Sequence, residues 1–528
     1  MWDTVFLILS IAGISAECLL ASLTPIHMLQ LESYQAPGYL RWLSERGVKG
    51  YWIQAAAAAV YLAAVIARAM GRAMAAVILT VLSLLVGALY IWKSKIRDAK
   101  KPLRYTARIK RFIAAELFLL VIAAILAVFT GTAAYVLIMA ALPLFVLFVH
   151  YMMLPVETAV NNWYKRDAEK MLRARPDLLV IGITGSYGKT SVKYILGTIL
   201  KEKFSVLVPP SSYNTPMGLT RVIREQLESG HQIFLAEMGA RHVGDIKELT
   251  EMVRPKIGII TSVGPQHLET FFTVENVQNT KYELIEGLPD DGAAFFPDDS
   301  GTLGLARPLY DRSIKAKKFL FGESEDCDVR VYDIKTGSSG SEFTVKIRDA
   351  EPFRAATKLL GTHNIMNIAA GISVAHYLGM SEDEIKAGVS LIEPVEHRLQ
   401  LIPTENGVNV IDDAFNSNPH GAAAAVEVLS SFEGRKIIVT PGMVEFGERQ
   451  DEVNADFARK IADKCDIVFL IGKKQTASMY RALAEASFNM ENVHVCGSLN
   501  EASGMMGPML RAGDTVLFEN DLPDNYTE

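Results

Sequence analysis

The stretch Leu178-Leu179-Val180-Ile181-Gly182-Ile183-Thr184-Gly185-Ser186-Tyr187-Gly188-Lys189-Thr190-Ser191 decides the reading of this 528-residue chain. Its apolar opening, Leu178 to Ile183, reads as a short buried strand. A glycine turn follows, and Val192, Ile195, Leu196, Ile199 and Leu200 then recur at the spacing of an amphipathic helix. A strand, a glycine turn and a helix N-terminus form an anion cradle, because unpaired backbone N–H groups and the helix dipole face one point. Gly185 and Gly188 let the backbone approach phosphate oxygens, with Ser186, Tyr187 and Ser191 completing the loop. Lys189 can reach the β/γ-phosphates and the Thr190 hydroxyl can ligate Mg²⁺. The general form of such loops has a glycine five residues before Gly188, where this chain has Ile183. The bland alternative is a tight turn with a surface lysine.

Composition divides the chain. Half the residues are hydrophobic, and the excess lies in the first 155 or so. Residues 1–175 hold 19 Lys and Arg against 9 Asp and Glu, a formal +10 that leaves −16 for the remainder of a chain whose net charge is −6. A basic, apolar third joined to an acidic remainder indicates a membrane part and a cytosolic part. The four cysteines, Cys18, Cys327, Cys465 and Cys496, are far apart with no CxxC, which argues against a zinc or disulfide framework and for a reducing compartment.

Five apolar stretches, 4–23, 51–70, 74–92, 112–129 and 132–153, each approach the ~20 residues that cross a ~30 Å hydrocarbon core. Lys93, Lys95, Arg97, Lys100, Lys101, Arg104, Arg108, Lys110 and Arg111 put the loop after the third stretch in the cytoplasm. Lys165, Arg166, Lys170, Arg173 and Arg175 do the same for the segment after the fifth. The expectation is an α-helical transmembrane bundle in the plasma membrane, contacting lipid, with the N-terminus outside and everything after residue 155 in the cytoplasm. Arg68 and Arg72 in a short outer loop argue mildly the other way. Glu17 and Glu116 lie within spans, where an ionisable group implies a partner or a site, or else snorkels or faces a polar bundle interior. The stretch 24–46 reads as an interfacial loop, and 156–177 as an amphipathic helix at the membrane surface ended by Pro176.

The cytosolic part reads as two α/β domains, 178–395 and 396–528, the first a P-loop domain with inserted antiparallel strands and the second Rossmann-like. A strand over 232–239 delivers Glu237 at its C-terminal end. Another over 257–262 delivers Gly264, Gln266 and His267 to the same edge, and the helix after Val274 carries Lys281 and Glu283. Alternation at Val329/Val331 and Phe343/Val345/Ile347 marks the antiparallel strands. Thr190 and Glu237 suit one Mg²⁺. His267 suits a second, though a single imidazole is thin coordination and a lone histidine is equally read as structural.

At these residues the chain resembles a known family. TGSYGKTS (184–191), NTPMG (214–218), EMGARHVGDI (237–246), GPQHLETF (264–271), the lysine of NTKYEL (279–284), GTHNIMN (361–367), EHRLQ (396–400) and DDAFNSNP (412–419) look like the ordered motifs of the Mur ligases. Within them the similarity is greatest to the MurF type, which adds D-alanyl-D-alanine to the peptidoglycan precursor. The likeness covers roughly 178–528. It implies an ATP-dependent peptide ligase of cell-wall synthesis that activates a carboxylate as an acyl phosphate. It implies that Lys189 binds the phosphates of ATP, Thr190 and Glu237 hold one Mg²⁺, and His267 helps hold a second. Lys281 matches the lysine that these enzymes carbamylate. Asn364 would contact adenine, and Arg398 and Asp413 would close on the nucleotide from the domain junction. The partners implied are a muramoyl-peptide acceptor, soluble or lipid-linked, and an amino acid or dipeptide amine donor, with no nucleic acid.

Two departures bear on the substrate. Apolar spans stand where MurF-type enzymes have a soluble domain gripping the UDP-sugar. The chain also ends Leu517-Phe518-Glu519-Asn520-Asp521 where the family shows a lysine-glycine-serine stretch near the amine substrate. A ligase acting on a lipid-linked precursor, a poly-γ-glutamate ligase and an ATP-driven membrane transporter are the alternative readings. The transporter is weakened by the lack of an apolar strand ending in Asp beside the loop.

Overall fold

In the computed structural model the apolar run before the glycine turn forms β1 (Leu179–Thr184), and its alternating side chains feed two cores at once. The structure describes residues 1–44, 48–94, 102–210, 213–301, 303–337, 340–414, 419–444, 446 and 449–520. Residues 45–47, Lys95, Arg97, Lys100 and Lys101 of the basic loop, Ser211, Ser212, Ser338, Ser339, residues 415–418 of the DDAFNSNP motif and Asp521 lie outside them. The chain divides into two units, Met1–Trp163 and Tyr164–Glu528.

In the second unit, Ile181 and Ile183 of β1 join a core with Val192, Ile195 and Ile199 of the Lys189–Leu200 helix and Ile365, Ile368 and Ile372 of the Thr362–Tyr377 helix. Val180, one residue out of phase, joins the opposite core with Leu249 of the Asp245–Val253 helix and Leu284 of the Val274–Glu286 helix. Cover on both faces is why the strand reads as a continuous apolar run. The sheet also contains β2 (Val206–Leu207), β3 (Ile233–Glu237), β4 (Ile257–Ile260), β5 (Ala293–Pro297), β6 (Lys317–Gly322), β7 (Val329–Gly337), β8 (Gly340–Ile347) and β9 (Phe353–Thr357). Its order is β2-β3-β1-β4-β5-β6-β7-β8-β9. Strands β1 to β7 run parallel, whereas β8 and β9 are antiparallel additions. The expected antiparallel strands therefore extend this sheet through β7. The sheet brings the C-terminal ends of β1, β3 and β4 to one edge.

The remainder builds a six-stranded sheet from β10 (Gln400–Pro403), β11 (Asn409–Asp413), β12 (Lys436–Thr440), β13 (Ile467–Ile471), β14 (Val493–Cys496) and β15 (Thr515–Glu519), ordered β10-β11-β15-β12-β13-β14. Strand β10 is antiparallel to β11, and the other pairings are parallel.

The first unit is helical. Among the described residues five helices are long and apolar enough to cross a membrane: Trp2–Leu31, Tyr51–Ala69, Ala73–Ser94, Ala107–Phe129 and Leu142–Arg173. Three expectations change. The stretch 24–46 is helical over Leu23–Leu31 and Ala36–Trp42. The fifth apolar stretch breaks at Ala141 into Ala134–Ala140 and Leu142–Arg173, and Pro143, which has no N–H to donate, falls in the first turn of the new helix. That last helix runs on through Pro155 to Arg173, so residues 156–173 continue it without a break.

Candidate active site

The glycine turn is stitched to the end of β4. Ser186 N–H donates to Ser262 O at 2.9 Å, Tyr187 N–H to Ser262 Oγ at 2.8 Å, and Ser186 Oγ to Gly264 O at 2.9 Å. The turn needs both glycines. A side chain at Gly185 would meet Thr261 Oγ1 at 2.1 Å. Gly188 has φ of 79°, a left-handed conformation, and a Cβ there would sit 2.7 Å from Asn367 Oδ1. Gly188 is also the residue before the Lys189–Leu200 helix, so the helix N-terminus opens directly into the turn.

Lys189 is folded back on this turn, its Nζ donating to Gly185 O at 2.7 Å and Ser186 O at 3.1 Å. Burial lowers its pKa to about 8, opposed by the Glu237 carboxylate and reinforced by Arg398. Thr190 Oγ1 donates to Glu237 Oε1 at 3.0 Å, and Asn214 Nδ2 reaches the same oxygen at 3.2 Å. The other carboxylate oxygen lies 3.1 Å from Lys193 Nζ, in an ion pair whose side chains are 0% and 1% exposed. Sequence reasoning missed Lys193. Its signal was its position four residues after Lys189, on the same helix face in an otherwise buried run.

Lys281 is 1% exposed on the Val274–Glu286 helix, its Nζ 5.7 Å from the centre of the Phe271 ring. Burial and then the charge of Lys189 push its amine down to about 7, with Asp245 and Glu283 pulling the other way. Glu283 is structural. It accepts the N–H groups of Gly244 and Lys247 at 2.8 and 2.9 Å, covering the start of the Asp245–Val253 helix. His267, at φ 53° with an edge open to solvent, is pushed to about 4 by the protein packed around it and the charges of Arg241, Lys281 and Lys189. Its imidazole is therefore neutral at pH 7, the form that can ligate a metal.

The β10–β11 hairpin delivers the remaining residues. Leu399 N–H donates to Asp413 Oδ1 at 3.1 Å, and burial raises the Asp413 carboxyl to about 6 against the pull of Arg398. Arg398 is lowered by burial, with Glu237 and Asp413 opposing. Asn364 is buried, its Nδ2 donating to Leu360 O at 2.9 Å. With Tyr194, Ile195, Leu359, Val395 and Arg398 it lines a small cleft beside the loop.

The structure thus gathers Lys189, Thr190, Glu237, His267, Lys281, Arg398 and Asp413 around one sheet edge, with Lys193 added. The oxygens of Thr190 and Glu237 at the mouth of the turn are hard donors of the kind Mg²⁺ takes. Lys189, Lys281 and Arg398 are set against Glu237, Asp245, Glu283 and Asp413, and burial is the first cause of the lowered pKa of all three, with neighbouring positive charge adding to it at Lys189 and Lys281. The glycine turn, with its helix N-terminus and Lys189, is the part of this edge that suits an anion. Among the described residues the one tight group of three acidic or thiol donors, Asp298, Asp326 and Cys327, is elsewhere, its carboxylates already held by Arg307 and Ser324.

Over these residues the chain is similar to known proteins. Residues 183–375 match the Mur ligase middle domain, and 397–519 match the Mur ligase glutamate ligase domain. The UDP-N-acetylmuramoyl-tripeptide--D-alanyl-D-alanine ligase of Mycobacterium tuberculosis (strain CDC 1551 / Oshkosh) is 31% identical over 365 residues, 65% of this chain and 70% of that one. The enzyme of the same name from Bacillus subtilis (strain 168) is 30% identical over 297 residues, 56% of this chain. The chain spans 63% of the length of that relative. The crystal structure of MurF ligase from Thermotoga maritima in complex with ADP is similar with a TM-score of 0.60 and 26% identity, covering 68% of this chain and 80% of that one.

Proposed function

Because this chain belongs to the Mur ligase family, we propose that it is an ATP-dependent peptide ligase of peptidoglycan precursor synthesis, adding D-alanyl-D-alanine to a muramoyl peptide. The observation that carries the reading is the convergence of Lys189, Thr190, Glu237 and Lys281 on the end of β1. The names of the relatives and the ADP of the Thermotoga maritima complex supply the substrate and the nucleotide.

ATP bound with Mg²⁺ supplies a transferable γ-phosphoryl group. The chain's residues do the rest. The N–H groups of residues 188–191 at the helix N-terminus cradle the phosphates, and Lys189 exchanges its loop carbonyls for phosphate oxygens. Thr190 and Glu237 would hold one Mg²⁺, and Asn364 would read the adenine from its cleft. Arg398 and Asp413 close over the nucleotide from the β10–β11 side. Lys189 and Arg398 stabilise charge on the transferring group. A carboxylate has no leaving group, so it is activated as an acyl phosphate, and the donor amine then displaces phosphate to form the amide. Excluding water protects that intermediate. A carbamate on Lys281 would convert a misplaced positive charge into an oxygen donor, which with neutral His267 supplies the ligands a second Mg²⁺ needs.

We assign 1–155 to a membrane domain of five spans with the N-terminus outside, 156–177 to its cytoplasmic surface, and 178–395 and 396–528 to the catalytic domains in the cytoplasm of a plasma-membrane protein. What supports this is five apolar helices among the described residues, with Arg104 just before the fourth and Arg108 and Arg111 at its start. The same helices precede the first family match and favour a lipid-linked acceptor presented at the membrane as a second reading.

The test is phosphate release from the full-length enzyme with ATP and D-alanyl-D-alanine, offering UDP-muramoyl-tripeptide and its lipid-linked counterpart side by side. Release with either supports the ligase. Release with glutamate alone would move the assignment to a polyamide ligase, and vesicle uptake surviving Lys281→Ala but not Lys189→Ala would move it to a transporter.

A further inference from the structure

Besides Glu157, which Arg111 pairs at 2.6 Å, the helical unit buries two carboxylates that the proposed ligase chemistry does not use. Glu17 lies on the Ser15–Ala21 helix and is 5% exposed, and Glu116 lies on the Ala107–Thr130 helix and is 0% exposed. Among the described residues neither meets a cation. Glu17 Oε1 accepts from Gln54 Nε2 at 3.3 Å, and Glu116 Oε2 accepts from Ser22 Oγ at 2.9 Å. Gln54 and Ser22 are themselves fully buried. Among the described residues this leaves three buried acceptor oxygens with no donor: Glu17 Oε2, Gln54 Oε1 and Glu116 Oε1. Cys18, the residue after Glu17, is close enough to feel both carboxylates.

Such groups are expensive. An unpaired buried carboxylate loses its hydration without compensation, and native proteins leave few buried acceptors unsatisfied unless an ion or a functional demand accounts for them. The fold makes deliberate room for this one. A Cβ at Gly87, on the facing Ala73–Ser94 helix, would stand 1.9 Å from Glu17 Oε1. All three orphans are acceptors, so each lacks either a hydrogen-bond donor or a cation. Protonating Glu17 would let its Oε2–H donate to Gln54 Oε1 and close a neutral acid–amide pair, but would give Glu116 Oε1 no partner among the described residues. Oxygen from carboxylate, amide and hydroxyl is the donor set of hard cations.

We infer that Glu17, Gln54, Ser22 and Glu116 form a binding site for a small hard inorganic cation inside the helical unit. The site is independent of the ligase reading and stands or falls without it. Full-length, detergent-solubilised, nucleotide-free protein is melted in Na⁺, K⁺, Mg²⁺ or Ca²⁺ chloride against choline chloride at matched ionic strength. The expected result is a saturable rise in Tm with at least one inorganic cation, lost in Glu17→Gln and in Glu116→Gln. Gly87→Ala is the companion variant. It retains both carboxylates but drives a methyl group into the Glu17 position, and should weaken the apparent affinity even if a Gln variant fails to fold. A Tm that follows pH alone and ignores the cation would mean simple protonation and overturn the inference. An equal cation response in wild type and all three variants would place the effect elsewhere and overturn it as well.

Discussion

Stripping dissolved CO₂ from the buffer should sharply reduce the ligase turnover proposed for this chain, because Lys281 is held as the neutral amine that attacks CO₂. Carbamylation needs a neutral amine. Burial, with Lys189 adding to it, takes the Lys281 amine from an ordinary 10.5 to about 7. At about pH 7.5 roughly three quarters of such an amine is neutral, against about 0.1% for an ordinary lysine, a gain of several hundredfold in the reactive form. The sign follows from the lowered value. Reactivity is close to its ceiling above about pH 7 and falls about tenfold per pH unit below it. Phosphate release is measured between about pH 6 and pH 9, in CO₂-stripped buffer and with added bicarbonate, and ¹³C-bicarbonate labelling reads the carbamate directly by NMR. Lys281→Ala should lose on the order of 10²–10³ in turnover, the scale seen when one stabilising group is deleted from an active site, and should recover partly with a short carboxylate. Turnover indifferent to CO₂, with no labelled carbamate and no rescue of Lys281→Ala, would refute the reasoning.

Other substitutions probe the same edge. Lys189→Ala should abolish turnover while leaving the thermal melt of the chain close to wild type, since Lys189 donates to loop carbonyls that the phosphates would replace. Lys193→Met should destabilise the catalytic unit by about 3–5 kcal/mol, because it strands the buried Glu237 carboxylate, and should raise the Mg²⁺ requirement. Adding Glu237→Gln should return part of that stability but no activity, as read from melts of the double variant. Gly188→Ala should cost about 1–2 kcal/mol for the left-handed backbone and raise the KM for ATP by pressing on Asn367. Reporter fusions after Gly71 and after residue 131 should report the outer side of the membrane, and one after Arg173 the inner side; the reverse pattern would invert the proposed topology.

Much of this was legible in the sequence where a periodic pattern carried the information. The run into Gly185 and the helix after Lys189 announced themselves because strand and helix bury apolar residues at different periods, and Ile181, Val192 and Ile195 do so here. Lys193 was invisible for the converse reason. A charged residue in a helical register reads as a solvated face, and only the arrival of Glu237 from β3 buries it. Arg398 and Asp413 lie 15 positions apart and meet because β10 folds antiparallel onto β11, a register that spacing alone does not reveal. The helical stretch 23–42 was hidden by Pro25, Pro37 and Gly38, which read as loop residues but are accommodated in the short helices Leu23–Leu31 and Ala36–Trp42.

The two units share a logic that their sequences do not advertise. At the end of β1, Lys189, Lys281 and Arg398 crowd together with depressed pKa values. In the helical unit, Glu17 and Glu116 are buried with no cation against them among the described residues. Each arrangement raises the energy of the empty protein, and burial makes the cost several kcal/mol per unpaired charge. A chain that is only marginally stable retains such groups where binding returns the energy. The glycine turn at the end of β1, with Lys189 and a helix N-terminus, suits the triphosphate of the proposed reaction. The acidic pair demands a cation, and a nucleotide cannot supply it. Occupancy of the helical unit should accordingly respond to inorganic cations with or without ATP present, and a cation effect on Tm that vanished when nucleotide was withheld would tie the effect to the catalytic edge and remove the case for a separate cation site.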